Sequence, residues 1–161
     1  MPEIIVVAHN IRSTHNVGSI FRTCEGFGVA RLILSGYTPY PSLKHDNRLP
    51  HITEKLSAQI HKTALGAEAM VPFEHQDTPD LATLARAGYE IIALEQSSIS
   101  VNLRNYHPPD KIVLLLGEEV HGIPNELLEQ CSVTLEIPMY GAKESFNVSV
   151  ATGIALYSLS V

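Results

Sequence analysis

Five stretches of this chain are apolar at consecutive positions, not at every second one: Glu3-Ile-Ile-Val-Val-Ala8, Arg31-Leu-Ile-Leu34, Tyr89-Glu-Ile-Ile-Ala-Leu94, Lys111-Ile-Val-Leu-Leu-Leu116 and Val133-Thr-Leu-Glu-Ile137. A strand with one wet face alternates, whereas a strand covered on both faces does not, so the runs predict a buried parallel sheet. Helical patterns fall between them. The first is expected near Asn16 to Gly28, where Val17, Ile20, Phe21, Cys24 and Phe27 form an apolar stripe and Gly28 closes it as a C-terminal cap. Others are expected at about 53–65, 79–87, 124–130 and 145–159, started by Thr53-Glu54, Pro79-Asp80 and Pro124-Asn125-Glu126, and stopped in two cases by Gly66 and Gly88. The alternation predicts a three-layer α/β/α sandwich with a mainly parallel sheet. At 161 residues it is expected to be one domain, 1–161. The least regular stretch, Ser35 to Pro50, holds Gly36, Pro39, Pro41 and Pro50, and a loop of that length is expected to be functional or mobile.

No apolar run approaches the roughly 20 residues that span a bilayer, and Met1-Pro2-Glu3 lacks the order of a signal peptide. A soluble cytoplasmic protein with no membrane partner is expected. Cys24 and Cys131 stand far apart in no zinc-like spacing, which predicts reduced thiols. The net charge of −6 argues against a surface that is basic throughout, but the charge is split. Residues 1–62 carry seven Lys/Arg against four acids, a balance of +3, and the remainder four against thirteen, a balance of −9. A polyanion would dock on the first part, where Arg12, Arg31, Lys44, Arg48, Lys55 and Lys62 could meet phosphates.

Three segments carry chemistry. In Asn10 to Gly28 a strand passes through a polar loop into a helix, where Asn16 can act as cap, Gly18 permits close backbone approach, and Arg22 lies one turn further on. Taken alone, the segment reads equally as a capped helix with a solvated Arg. In Leu114 to Pro124 an apolar strand leaves into a turn with Glu118 and Glu119 between Gly117 and Gly122. It lacks the Lys-Ser/Thr of a phosphate loop, and its acids suit hydroxyls, amines or a cation; a solvated acidic turn is the plain alternative. In Ile137 to Ala151 a Pro/Gly loop leads into a helix with small residues at Ser149, Ala151, Gly153 and Ala155, and Ser145 reads first as a helix cap.

Together the segments resemble the three motifs of the SpoU or TrmH family of SPOUT-class RNA methyltransferases. The pattern N-x-G-x-x-x-R followed by F-G is met by Asn16, Gly18, Arg22, Phe27 and Gly28; G-x-E-x-x-G by Gly117, Glu119 and Gly122; and I-P-M…S-L-N by Ile137, Pro138, Met139, Ser145 and Asn147. Phe146 stands where Leu is usual, and Thr14-His15 where many relatives have Asp-Pro.

The resemblance implies a C-terminal trefoil knot, S-adenosylmethionine as cofactor, a homodimer whose site is completed across the interface, and methylation of a ribose 2′-hydroxyl of RNA, with tRNA favoured over rRNA. It implies a catalytic set of Arg22, Asn16, Glu119, Ser145 and Asn147. Cofactor contacts are implied at Leu94, Gly117, Gly122, Ile137, Met139 and Phe146, and the chain is expected to be a bare catalytic domain. RNA contacts are expected at Arg12, Lys44, Arg48 and Lys55, and no metal is required. Two rival readings are a catalytically inactive RNA-binding domain of the same fold and a metal hydrolase using His45, Asp46, His51 and His61, whose spacing fits no common ligand pattern.

Overall fold

Each of the five apolar runs is a strand, and every ladder that joins them is parallel. The computed structural model describes all 161 residues. In chain order the elements are β1 (Glu3–His9), α1 (Thr14–Gly26), β2 (Arg31–Ser35), α2 (Pro50–Ala64), β3 (Phe73–Gln76), α3 (Leu81–Arg86), β4 (Glu90–Leu94), β5 (Val101–Asn102), β6 (Lys111–Leu116), α4 (Asn125–Leu128), β7 (Val133–Glu136) and α5 (Val148–Leu159). The strands form one sheet in the order β3-β2-β1-β6-β4-β7-β5. No helix is long and apolar enough to cross a membrane.

Strand side chains alternate between two cores. On one face Ile4, Val6 and Ala8 pack with Val17, Ile20 and Phe21 of α1, Ile60 of α2, and Leu156 and Leu159 of α5. On the other, Ile5 and Val7 pack with Leu81 and Leu84 of α3 and Leu127 of α4. Both faces are therefore dry, which is why the runs are continuous in sequence. Two strands escaped the sequence reading for opposite reasons. β3, Phe-Glu-His-Gln, has one apolar residue and sits at the sheet edge with β2 as its sole neighbour; β5 is two residues long.

Three helix starts differ from expectation, and two of the differences matter for function. α1 starts at Thr14 because Ser13 is its cap, its side chain accepting from the Asn16 N–H at 3.2 Å. Asn16 is thus inside the helix and its amide is released for other work. α5 starts at Val148 because Asn147 is the cap, Oδ1 accepting from the Ser149 N–H at 2.9 Å. Ser145 therefore lies in the preceding loop. α2 starts at Pro50, a position that suits proline, and Thr53 is buried inside it.

At the end of α1 the expected glycine cap is present. Gly28 has φ +63°, its N–H donates to Glu25 O and the Val29 N–H to Cys24 O, a Schellman closure with Cys24 and Val29 both buried. Gly18 faces α2: a Cβ there would collide with Ile60 O and lie 2.9 Å from Ala64 N. The close partner of Gly18 is thus the chain's own second helix.

The irregular segment before Pro50 is pinned. Arg48 donates from Nε and Nη2 to Asp46 at 3.0 and 2.7 Å, from Nη1 to Tyr40 O and from Nη2 to Pro41 O, and its guanidinium lies 3.5 Å from the Tyr40 ring centroid. Tyr40 in turn stacks on His75.

Candidate active site

The sheet's carboxyl edge is where an open α/β fold can host a ligand, because strand-end backbone groups there lack ladder partners and the loops diverge. β4, β6 and β7 end side by side in this sheet. Above them lies a cleft of about 100 Å³, lined among others by Leu94, Leu116, Gly117, Ile137, Ser145, Phe146 and Val148, and by the carboxylates Glu95, Glu118, Glu119 and Glu136. No Lys or Arg is among its lining residues. Apolar walls beside carboxylates suit an organic cation that also carries a flat ring.

At the mouth of this cleft the three chemical segments meet on one residue. Asn16 Nδ2 donates to Glu119 Oε1 at 2.9 Å across 103 positions, and Asn147 Nδ2 donates to Asn16 Oδ1 at 3.2 Å across 131. One amide thereby ties the N-terminal helix to the acidic turn and to the cap of the C-terminal helix. This use of Asn16 is possible only because Ser13 caps α1.

The acidic turn itself is shaped by its glycines. Gly122 has φ +68°, and its N–H donates to Glu118 O at 2.8 Å, closing a tight loop. A Cβ on Gly117 would lie 2.7 Å from Ile123 N. Glu95, which the sequence reading did not select, holds the far side: Oε2 accepts from the Ile123 N–H at 2.8 Å, and its Cδ lies 2.9 Å from where a Gly122 Cβ would be. The one available signal for Glu95 was a lone acid directly after a buried strand, which is too common to single out. Glu118 is also fastened from the N-terminal side, accepting from Tyr37 Oη at 2.8 Å.

Of the residues expected to touch cofactor, Leu94, Gly117, Ile137 and Phe146 line the cleft. Gly122 and Met139 do not; Gly122 serves the turn conformation instead. Glu119 and Ser145 line it too, while Asn16 and Asn147 stand behind Glu119. Arg22 is the exception among the catalytic set. It is exposed on α1, does not line the cleft, and makes no hydrogen bond or ion pair.

Among the basic residues, Arg12, Lys44 and Lys55 are exposed. Arg48 is not available in the way expected: its charge is paired with Asp46 and its donors are spent on the loop it braces. Arg31 is likewise paired, with Glu74 at 2.9 Å. His45, Asp46, His51 and His61 form no ligand cluster; Asp46 is engaged by Arg48 and His61 by Glu68.

Comparison with known proteins finds relatives along nearly the whole chain. The tRNA (guanosine(18)-2′-O)-methyltransferase of Aquifex aeolicus is 35% identical over 157 residues, covering 96% of this chain and 67% of the relative. The protein of the same name from Saccharomyces cerevisiae is 31% identical over 99% of this chain, which spans only 10% of that relative's length. Among solved structures, an AdoMet-bound rRNA methyltransferase from Sinorhizobium meliloti superposes with TM-score 0.80 at 28% identity, over 97% of this chain and 55% of that one. The A. aeolicus TrmH/SpoU tRNA modifying enzyme gives 0.79 at 31%, over 99% and 75%. With residues 3–157 matching the family's sequence model from β1 to near the end of α5, the chain belongs to the SpoU rRNA Methylase family.

Proposed function

We propose that this chain is an S-adenosylmethionine-dependent methyltransferase that acts on a ribose 2′-hydroxyl of tRNA. The observation that carries the reading is the joining of all three motif segments at Asn16, at the mouth of a cleft rich in carboxylates. The residues fit that cofactor: its sulfonium and ammonium match Glu95, Glu118 and Glu119, and its adenine matches the walls formed by Leu94, Leu116, Ile137 and Phe146. When bound, S-adenosylmethionine supplies an electrophilic methyl group on sulfur. Relatives named for guanosine 18 of tRNA, in a bacterium, yeast and mouse, support tRNA as substrate and make that guanosine the first position to test. A 23S rRNA enzyme of Neisseria meningitidis at 30% identity keeps rRNA as the comparison substrate.

A ribose hydroxyl is a weak acid, so the protein must orient it and stabilise the oxygen as its proton leaves. Arg22 has the chemistry for this. A guanidinium stays protonated and is no base, but its planar fork can bridge a phosphate and a developing alkoxide. The neighbouring phosphate is then the group placed to accept the proton. Asn16, Glu119 and Asn147 hold the turn against which RNA rests, and Ser145 presents its hydroxyl at the cleft edge.

Because Arg22 does not line its own cleft, the reading includes a homodimer in which α1 of one copy serves the cleft of the other. The outward face of α5 supports it. Val150, Ile154 and Tyr157 are exposed apolar residues one turn apart on that helix. Val148 and Leu156 of the same helix are buried in this chain's own core. The reading also includes a C-terminal trefoil knot, supported by the insertion of β7 between β4 and β5 before the chain returns to pack α5 on α1.

The test is methyl transfer from labelled S-adenosylmethionine to tRNA and rRNA taken from cells lacking the gene, with nucleosides identified by mass spectrometry. Label recovered as a 2′-O-methyl nucleoside in tRNA is the expected result. Label on a base, or in rRNA alone, overturns it.

A further inference from the structure

A second concavity, a groove of about 630 Å³, lies between the start of α1 and segment 36–49. Its lining includes Arg12, Arg48 and His75 and no carboxylate, whereas the cleft lining holds four carboxylates and no Lys or Arg. The two concavities meet at one bond, Tyr37 on the groove side donating to Glu118 on the cleft side.

The groove has two tyrosines, and they are not equivalent. Tyr40 has Arg48 at 3.5 Å from its ring centroid and the His75 ring stacked at 4.2 Å. Two groups that near to one centroid must take opposite faces, so Tyr40 has none to offer. Tyr37 is 49% exposed, with the Arg12 guanidinium 5.7 Å from its ring centroid. Nor is it loose. Its N–H donates to Asn10 Oδ1 at 3.0 Å, Asn10 itself being left-handed at φ +56°. The next residue, Thr38, is clamped to β1 through bonds to Ala8 O and the Ile11 N–H, and the Tyr37 hydroxyl is held by Glu118. An exposed aromatic ring held at backbone and hydroxyl presents a stacking face whose ordering cost is already met by the fold.

We propose that this groove receives an unpaired ribonucleotide, its base stacked on Tyr37 and its phosphate on Arg12, and that Tyr37 thereby positions RNA for the cleft. The proposal rests on the reading of the chain as an RNA methyltransferase. Bases in a duplex have their faces covered by their neighbours, so a lone aromatic ring selects the unpaired state. A groove wall free of carboxylates does not repel phosphate, and the cation beside the ring adds to the attraction for a nucleotide.

The chain contains no tryptophan, so Tyr37→Trp creates a single fluorescent reporter at the site. An unpaired oligoribonucleotide of about six residues should quench it, and a duplex of equal length should not. Tyr37→Leu should raise the KM for tRNA about tenfold, within the range expected for loss of one base–aromatic stack. The dissociation constant for S-adenosylmethionine should be the same in Tyr37→Leu and Tyr37→Phe to within about twofold, since both lose the bond to Glu118 and only the first loses the ring. Tyr37→Phe, which keeps the ring and loses the hydroxyl, should recover most of the tRNA KM. The proposal falls if quenching is absent or equal for duplex, if Tyr37→Leu leaves the tRNA KM unchanged, or if cofactor affinity drops as much as tRNA affinity. If the unaltered protein methylates no RNA, the parent reading falls and takes this one with it; methylation without quenching overturns this one alone.

Discussion

Arg22 and Asn16 lie within two turns of one helix, and the proposed mechanism gives them different parts. Asn16 is bonded at both ends of its amide, to Glu119 and Asn147, and ties two distant segments together. Arg22 has no bond at all in this chain, so its charge is free for a phosphate or a developing oxyanion. Arg22→Ala should lower methyl transfer by about a hundredfold or more, the scale of losing one charged transition-state donor. Cofactor binding should change less than about twofold, because Arg22 is not among the cleft residues. Arg22→Lys should fail nearly as badly, an ammonium being unable to bridge two acceptors in one plane. Single-turnover kinetics alongside cofactor titration checks both parts; equal loss of the two would remove Arg22 from RNA.

At the scale of elements, two contacts decide how the site is held. α1 and α2 approach closely because Gly18 has no side chain. Gly18→Ala would force backbone apart and not merely displace a flexible side chain, and should cost about 1–3 kcal/mol by the measure of an overpacked core. Denaturant unfolding measures it. The second contact is the brace at 40–48. Hydrogen bonds from Arg48 and the Leu43 N–H hold the Asp46 carboxyl well below the usual carboxylate range. A depressed folded-state value stabilises the brace at pH above the unfolded value near 3.9 and loses that contribution as pH falls below it. Asp46→Asn should therefore speed hydrogen exchange across 38–50 at pH 7 and make little difference near or below the folded-state value, where the carboxyl of the unaltered protein is itself protonated.

For the whole molecule, the outer face of α5 and the split charge set the expectations. The proposed homodimer would cover Val150, Ile154 and Tyr157 on the outer face of α5, and substitution there tests it. Ile154→Asp should shift the mass in sedimentation from dimer to monomer and abolish methyl transfer while cofactor binding persists in part. RNA affinity should fall steeply with salt, and Lys44→Ala or Lys55→Ala should each lower the log–log slope by about 0.7–0.9. Arg48→Ala should lower it less, because Asp46 already neutralises that charge. Equal slopes for all three variants would show that the brace opens when RNA binds.

Continuous apolar runs determined the parallel sheet and its two covering layers, because burial on both faces leaves a pattern that no other strand environment produces. Resemblance to the family's motifs grouped Asn16, Gly18, Arg22, Glu119 and Asn147, each segment alone being ambiguous; the fold joins Asn16 to Glu119 and Asn147, while Gly18 packs on α2. What the sequence could not decide was which partner each would take. Ser13 and Asn16 are both good caps, and only the folded helix shows that Ser13 does the capping and Asn16 is free. Arg48 and Lys55 are equal as charges in a count, and only packing shows one half-buried in a brace and the other in water. Glu95 and Tyr37 gain their roles from contacts across 28 and 81 positions. Such long-range bonds depend on three-dimensional geometry, and a chain read residue by residue has no coordinate in which they are near.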